Sequence, residues 1–526
     1  MSSNLRIGGL ASGIDIDKMV SDLMKAQRMK VDRIKQDRQL VEWRQVDYRT
    51  VNSSLMTLKN TTFNMKLQGT YQAKSATSSN ESAVTAAAGN SAAPGIYNVK
   101  VTQLAQGVTK GSQSKLAEET NSDGTTKTLA AQFGISGTVS FTLEGKLVDG
   151  ARKSQSFDID TGAHTVSSLV SEINRHSDAL GISASYDYND NRFFLTTTGT
   201  GTDYGINVAS DAKTFLSDAN GDGSNTLKLL IKTGALYQGQ NAKFDFGDVT
   251  NMESKTNTTT VNGITLNLKQ GGGATSTISV KSDTDAVYNS IKTFIDQYNT
   301  TLGLINGELS EEHYRDYLPL TDGQRIQMTE TQQKEWEEKA KSGMLRNDNY
   351  LSGAAGKMRT VIGSVVEGIT PVSVDGKKAT HNSLSAIGIV TGLYVEDGKL
   401  YLKNDGADLK KAIESDPDGI TKLFTNDSTK ESERGVAQRL YDELDGAVKG
   451  IIEKAGMQSA YSLYDGSALG KKLYDLDKQI ARWNNRLNDM EERYWRQFTA
   501  MEKAVNRMNA QSAWLSQQFS GDQNKS

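Results

Sequence analysis

The chain has 526 residues and a formal net charge of -3, with no Cys, 48 Gly, only 4 Pro and 36% hydrophobic residues. That length allows about three or four domains. The charge balance argues against a nucleic-acid partner, the missing Cys excludes disulfides, thiolate catalysis and thiolate-bound zinc, and no window is apolar for long enough to insert in a membrane. Met1–Met19 has no basic segment followed by an apolar run, so no cleavable signal peptide is expected.

From Ile16 to Met65 the apolar residues Val20, Leu23, Met24, Val31, Ile34, Val41, Tyr48, Val51, Leu55, Leu58 and Met65 recur at mostly heptad-like spacing. This predicts a long amphipathic helix whose seam thins between Ile34 and Tyr48. Composition then changes after Gly69: all five Trp lie outside residues 70–290, and Met252 is the only Met inside. This interval is rich in Thr, Ser, Asn and Gly, with alternating runs at Tyr97–Thr102, Thr138–Leu143, Phe193–Thr197, Asn262–Leu268 and Thr277–Lys281. Short antiparallel strands follow from that pattern. One helix interrupts them, Val166–His176 behind the N-cap Thr165, followed by a hairpin of Ile182–Tyr188 and Arg192–Thr198 turning at Asn189-Asp190-Asn191.

Helical character returns at Ala286–Leu309, and a charged, loop-like stretch follows from Glu311 to Lys341. Leu351–Val366 is predicted helical, Gly388–Lys403 a hairpin turning at Glu396-Asp397-Gly398, and Asp408–Phe424 and Val436–Lys454 helical again. Ser467–Phe519 then reads as one long helix. Its seam is Leu473, Leu476, Ile480, Trp483, Leu487, Met490, Tyr494, Phe498, Met501, Val505, Met508, Leu515 and Phe519. Steps of three and four put these side chains on one stripe, with a local stutter at Tyr494–Phe498. At about 1.5 Å per residue the helix extends roughly 75 Å and needs a partner, either the N-terminal helix or another copy. The expected fold is therefore α+β, elongated and multidomain, with long terminal helices forming a coiled-coil stem around inserted antiparallel β-rich domains. The expected domains are a leg (1–42 and 467–526), a helical-bundle stem with a hairpin (43–72 and 285–466), a β-rich domain (73–128 and 236–284) and an outer β-rich domain (129–235).

Candidate chemistry is sparse. The four His (His164, His176, His313, His381) are scattered and form no zinc-hydrolase spacing. Gly466-Ser-Ala-Leu-Gly-Lys471-Lys472 is one residue short of a phosphate loop and has Lys where a magnesium-binding hydroxyl is needed. Asp218, Asn220 and Asp222, with Gly223 in the sixth place, have the spacing of a calcium loop, but Leu229 stands where its bidentate Glu should be. A polar turn is the better reading, so no metal and no cofactor are expected. Arg482, Trp483, Arg486, Arg493, Tyr494, Trp495 and Arg496 are interleaved with Asp489, Glu491 and Glu492, which fits a bundle seam with a solvated flank and not a nucleic-acid platform.

Gly9-Leu-Ala-Ser-Gly-Ile-Asp-Ile-Asp17, with Met19-Val20 and Leu23-Met24 behind it, resembles the N-terminal signature of the flagellar hook-associated protein family that caps the growing filament. Val166–Ser210 resembles the "IN" motif of flagellins and hook-associated proteins, Gly239–Lys281 the strand region before the returning stem, and Leu473–Phe519 the family's C-terminal coiled-coil segment. Lys110–Ser136 and Glu311–Glu338 match no such pattern. The resemblance implies a non-enzymatic, homo-oligomeric ring, a pentamer in members of the family, at the distal tip of an extracellular filament. It also implies flagellin and a hook-filament junction protein as partners, a cytosolic export chaperone docking on the C-terminal helix, and exit through the flagellar export apparatus. The expected oligomer and flagellin interface is Leu10, Ile14, Ile16, Met19, Val20 and Leu23 with Ile480, Trp483, Leu487, Met490, Tyr494, Phe498, Met501, Val505, Met508 and Leu515. Two alternatives stay open: a hook-filament junction subunit, or a surface adhesin or glycan-binding stem protein with its site in residues 130–235.

Overall fold

The computed structural model describes residues 15–374, 376–392, 398–457 and 465–521. They divide into two units, one built from the chain ends (Met1–Tyr71 and Thr284–Ser526) and one from the segment between (Gln72–Asp283). The N-terminal apolar period becomes a single helix, α1 (Ile16–Met65), capped by the Asp15 carboxylate, which accepts from the Lys18 N–H at 2.9 Å.

The middle unit has two hydrophobic cores. In the first, the strands run Lys74–Ser78, Ala274–Ser282, Gly95–Gln103, Ala242–Phe246, Val249–Ser254 across one antiparallel sheet. A second sheet runs Thr258–Val261, Ile264–Leu268, Val84–Ala88. Val99, Val101, Phe244, Ile264, Leu266 and Ile278 fill the core that the two share. Asn262 and Gly263, expected inside a strand, instead make the hairpin turn, with φ of 48° and 75°. That left-handed pair suits Asn-Gly and matches the twist of the flanking strands.

The second core lies between the sheet Tyr237–Gln238, Gly205–Asp211, Thr138–Val148, Ala151–Asp160 and the sheet Thr109–Gly111, Arg192–Thr197, Ile182–Asp187. Its helices are α2 (Leu129–Phe133), α3 (Val166–Arg175) and α4 (Ser177–Leu180). The helix and hairpin predicted around Val166 form as expected, with a Thr165–Ser168 capping box. Leu116 and Leu129 pack in this second core, and Thr109–Gly111 pairs with Arg192–Thr197. This core thus draws on residues ahead of 129, because strand pairing decides which sheet a segment joins.

The chain ends build a helical bundle. α5 (Thr284–Ser310) and α8 (Asn349–Gly363) pack together, α8 packs on α11 (Val436–Ala455), and both α5 and α11 pack on α1. Tyr48, Val51, Leu55 and Leu58 of α1, Ile291, Phe294 and Tyr298 of α5, and Leu440, Leu444 and Ile451 of α11 are at most 1% exposed. At roughly 25 cal/mol per Å² of apolar surface, this is where the unit's burial energy is concentrated. The stretch Glu311–Lys341 is less loop-like than its charge suggests: it holds α6 (Asp322–Arg325) and α7 (Glu330–Lys341). The overlooked signal is a capping box at each start, Thr321 with Gln324 and Thr329 with Gln332.

The helix expected at Asp408–Phe424 is two helices, α9 (Ala407–Ser415) and α10 (Pro417–Thr425). Pro417 lacks the N–H that would continue α9, and takes the first position of α10 while Asp416 accepts from the Gly419 N–H at 2.9 Å. Ile389–Thr391 pairs with Leu400–Leu402 as the predicted hairpin requires, while Glu396 and Asp397 of its turn lie outside the described residues. The last element is α12 (Ala468–Gly521).

Where α1 meets the end of α5, three carboxylates approach one another. Burial and the Glu311 charge push the Asp47 carboxyl up to about 6, against the opposing pull of Lys341. Burial and the charges of Asp47 and Glu311 push Glu308 up to about 7. Both groups bind protons more tightly folded than unfolded, so the burial of their charges and their repulsion cost stability fully above about pH 7, a cost that fades as pH falls toward the ordinary carboxylate range. Glu308→Gln is expected to stabilise the protein in urea at pH 8 by on the order of 1 kcal/mol. That gain should shrink steadily as the pH is lowered to 5; a gain independent of pH would contradict the assignment.

Candidate functional site

The two terminal helices lie antiparallel. Arg28 sits 3.6 Å from Glu491 and Arg38 2.6 Å from Asp477, so position falls along α12 as it rises along α1. Along the pair Ile16, Val20, Met24 and Val31 of α1 and Leu487 of α12 form one buried apolar cluster, with Ile480, Trp483, Met490, Tyr494, Trp495 and Phe498 packed against it. Lys30 stands 5.6 Å from the Trp483 ring centre and the Arg486 guanidinium 5.1 Å from it. The cations of this stretch are thus held around its own aromatic seam, as expected of a coiled coil with a charged flank.

The start of α12 is pinned to α1 by one carboxylate. Asp465 accepts from Gln45 Nε2 at 2.8 Å, Arg49 Nη2 at 2.7 Å and the Ser467 N–H at 3.0 Å. Arg49 Nε also donates to the carbonyl of Ala455, the last residue of α11, at 3.0 Å. Burial alone would raise the Asp465 carboxyl, but the Ser467 hydrogen bonds and the Arg49 charge outweigh it and hold it below the ordinary range. The adjoining Gly466–Lys472 stretch therefore presents a carboxylate, and not a free nest of N–H groups, at the place where a phosphate would have to sit. Gly470 is needed there, because a Cβ at that position would lie 2.4 Å from the Asp465 carboxyl carbon.

The structure sorts the predicted interface residues into three groups. Ile16 and Val20 lie in one apolar cluster with Ile480, Trp483, Leu487, Met490, Tyr494 and Phe498 inside the pair. Met19 and Leu23 flank this seam on α1 and are 40% and 41% exposed. Met501, Met508 and Leu515 are exposed and Val505 is half-buried. Leu10 and Ile14 lie outside the described residues. In this register α1 starts at Ile16, so none of its described residues reaches the last turns of α12, where Met508 is 63% and Trp514 60% exposed. Met24, Val31 and Trp495 also belong to this contact within the chain, the first two legible in the heptad spacing.

The calcium-like loop is occupied by its own backbone. Asp218 is buried, and its carboxylate accepts from the N–H groups of Asn220, Gly221, Asp222 and Gly223 and from Asn225 Nδ2 at 2.9 Å. Burial would raise this carboxyl, but the Asn225 amide and the backbone donors hold it low. Asp222 accepts from the Ser224 N–H at 3.1 Å. Among the described residues, no group of three or more His, Asp or Glu side chains is placed to hold a metal ion, and no helix is long and apolar enough to cross a membrane.

With this geometry in place, two family models account for most of the chain. The model for the flagellar hook-associated protein 2 C-terminus matches residues 239–510, and that for the N-terminus matches residues 12–107. The chain belongs to the flagellar hook-associated protein 2 family. It is 31% identical to the flagellar hook-associated protein 2 of Halalkalibacterium halodurans, over 98% of this chain and 100% of the relative. It is 26% identical to the A-type flagellar hook-associated protein 2 of Pseudomonas aeruginosa, over 99% and 98% of the two chains. The fold is shared with the D1-D2-D3 domains of the flagellar cap protein FliD from Escherichia coli, at TM-score 0.52 and 20% identity over 82% of this chain and 99% of that one.

Leu487 is the most enclosed residue that α12 adds to the pair. Leu487→Ala removes several methyl groups from a two-helix contact and should cost about 2 kcal/mol there. In native-state hydrogen exchange, amides of residues 18–31 are expected to lose about tenfold or more protection, while those of Val51–Thr62 in the bundle keep theirs. Unchanged protection at residues 18–31 would mean that the pair does not depend on this seam.

Proposed function

We propose that this protein caps the distal tip of a flagellar filament as a ring of its own copies, holding exported flagellin subunits and promoting their folding and insertion. The observation that carries the reading is the division of α12: its Ile480–Phe498 part is satisfied within the chain, whereas Met501, Met508 and Leu515 are exposed on the same stripe. An exposed heptad stripe needs cover from another molecule. A closed ring and an open helical filament cannot make identical contacts all round, so one position under the ring is always mismatched. That gap is where the next flagellin enters, and legs held by one narrow seam can adapt to each new geometry. The work is assembly by sequestration, with no bond chemistry.

In this reading the ring is a pentamer, the legs meet flagellin and the hook-filament junction protein, and the protein leaves through the flagellar export apparatus without a cleavable signal. Before assembly, the exposed end of α12 is the docking site for a cytosolic export chaperone. The adhesin, glycan-binding and junction-subunit alternatives are not favoured by membership of this family.

Truncation after Lys471 is expected to leave the middle unit folded while filament tips no longer retain flagellin, measured as monomer lost to the medium. Retention of tip assembly by that fragment would contradict the proposal.

A further inference from the structure

Glu311–Gly343 leaves the bundle at the end of α5 and returns to the point it left. At its base the Gly343 N–H donates to Glu311 Oε2 at 2.7 Å, the Ser342 hydroxyl donates to the Glu312 carbonyl, and the Asn347 N–H donates to the Leu309 carbonyl at 3.1 Å. Inside the excursion the Trp336 indole N–H donates to the Leu318 carbonyl at 2.8 Å, and its ring lies 4.6 Å from that of Tyr317. Leu320 and Ala340 are buried. This is a closed loop with a small core of its own, and its ends would stay together without it.

Among the described residues its outward hydrogen bonds and ion pairs fall on one stretch of α1. Lys35 pairs with Asp322 at 2.8 Å, Gln36 Nε2 donates to the Pro319 carbonyl at 2.7 Å, and Lys341 lies 5.2 Å from the Trp43 ring centre. Just past the loop's base, Arg44 Nε donates to the Met344 carbonyl at 3.2 Å. Lys35 to Arg44 is also where the α1 seam is thinnest: Val31 and Val41 are buried, and Ile34 between them is only partly so. Here α1 passes out of the four-helix bundle and into its two-helix pairing with α12, losing neighbours that would keep an amphipathic helix ordered.

We infer that Glu311–Gly343 is a brace on α1, which keeps residues 35–44 rigid and so places the upper end of the adaptable leg at Lys35 instead of at the bundle edge near Tyr48. The segment sets how much of α1 can bend. The inference concerns stiffness within one chain and does not rest on the proposed capping role.

The test is native-state hydrogen exchange on the full chain with residues 314–341 replaced by a short Gly-Ser linker. Amides of residues 33–44 are expected to exchange about tenfold faster or more, with Val51–Thr62 unchanged. Unchanged exchange at 33–44 would overturn the inference. So would equal acceleration at Val51–Thr62, because the segment would then be part of the bundle's fold and not a brace upon it. The double variant Asp322→Ala with Trp336→Ala, which keeps the chain length, should accelerate 33–44 by about threefold or more; no acceleration there would overturn it equally.

Discussion

The antiparallel register of α1 against α12, fixed where Asp465 takes hydrogen bonds from Gln45 and Arg49, is the contact on which the rest of the terminal unit depends. It gives one helix two different environments. From Tyr48 onward α1 is surrounded by α5 and α11 and its core side chains are out of water. From Ile16 to Val31 it has a single neighbour among the described helices and a single narrow seam, and its other faces, Met19, Leu23 and Met29 included, are exposed. Burial scales with enclosed apolar area, so the first stretch is firmly folded and the second is held by far less.

Charge has a different part in this arrangement. Arg28–Glu491 and Arg38–Asp477 are substantially exposed, and such pairs contribute about 0–1 kcal/mol each. They choose the register more than they hold it, since a slip along the seam would separate both pairs. Asp465 is more enclosed, with two of its three donors, Gln45 and Arg49, on α1 and the third, the Ser467 N–H, just ahead of α12, so losing it would leave Arg49 without its carboxylate. Specificity sits at the junction, and adaptability at the free end.

Much of this was legible in the residues, for reasons that differ from place to place. The three-four spacing sustained from Leu473 to Met508 reads as one long helix despite its stutter, and the Val166 helix announces itself by Thr165. Pro417 and the Thr329–Gln332 pair were equally local signals, and reading them would have divided one predicted helix and found another in the charged segment. At the site, heptad spacing identified the stripe but not its edges. Met19 and Leu23 flank the same seam as Val20 and Met24, and only the position of α12 decides which are covered. Asp465, the Asp47–Glu308–Glu311 cluster and the Lys35–Asp322 pair join residues far apart in the chain. No periodicity could have found them, because such contacts exist only once the helices are placed.

The most direct test of the central claim uses the absence of native Cys, which allows a clean pair of introduced thiols. With Arg28→Cys and Glu491→Cys in the full chain, a short bis-maleimide should join the two positions within one molecule, with a yield that does not fall on dilution. A control that moves the second thiol to Asp477 should not be joined. Cross-links found only between molecules, or equal yields from both pairs, would show that the terminal helices of one chain do not hold this register.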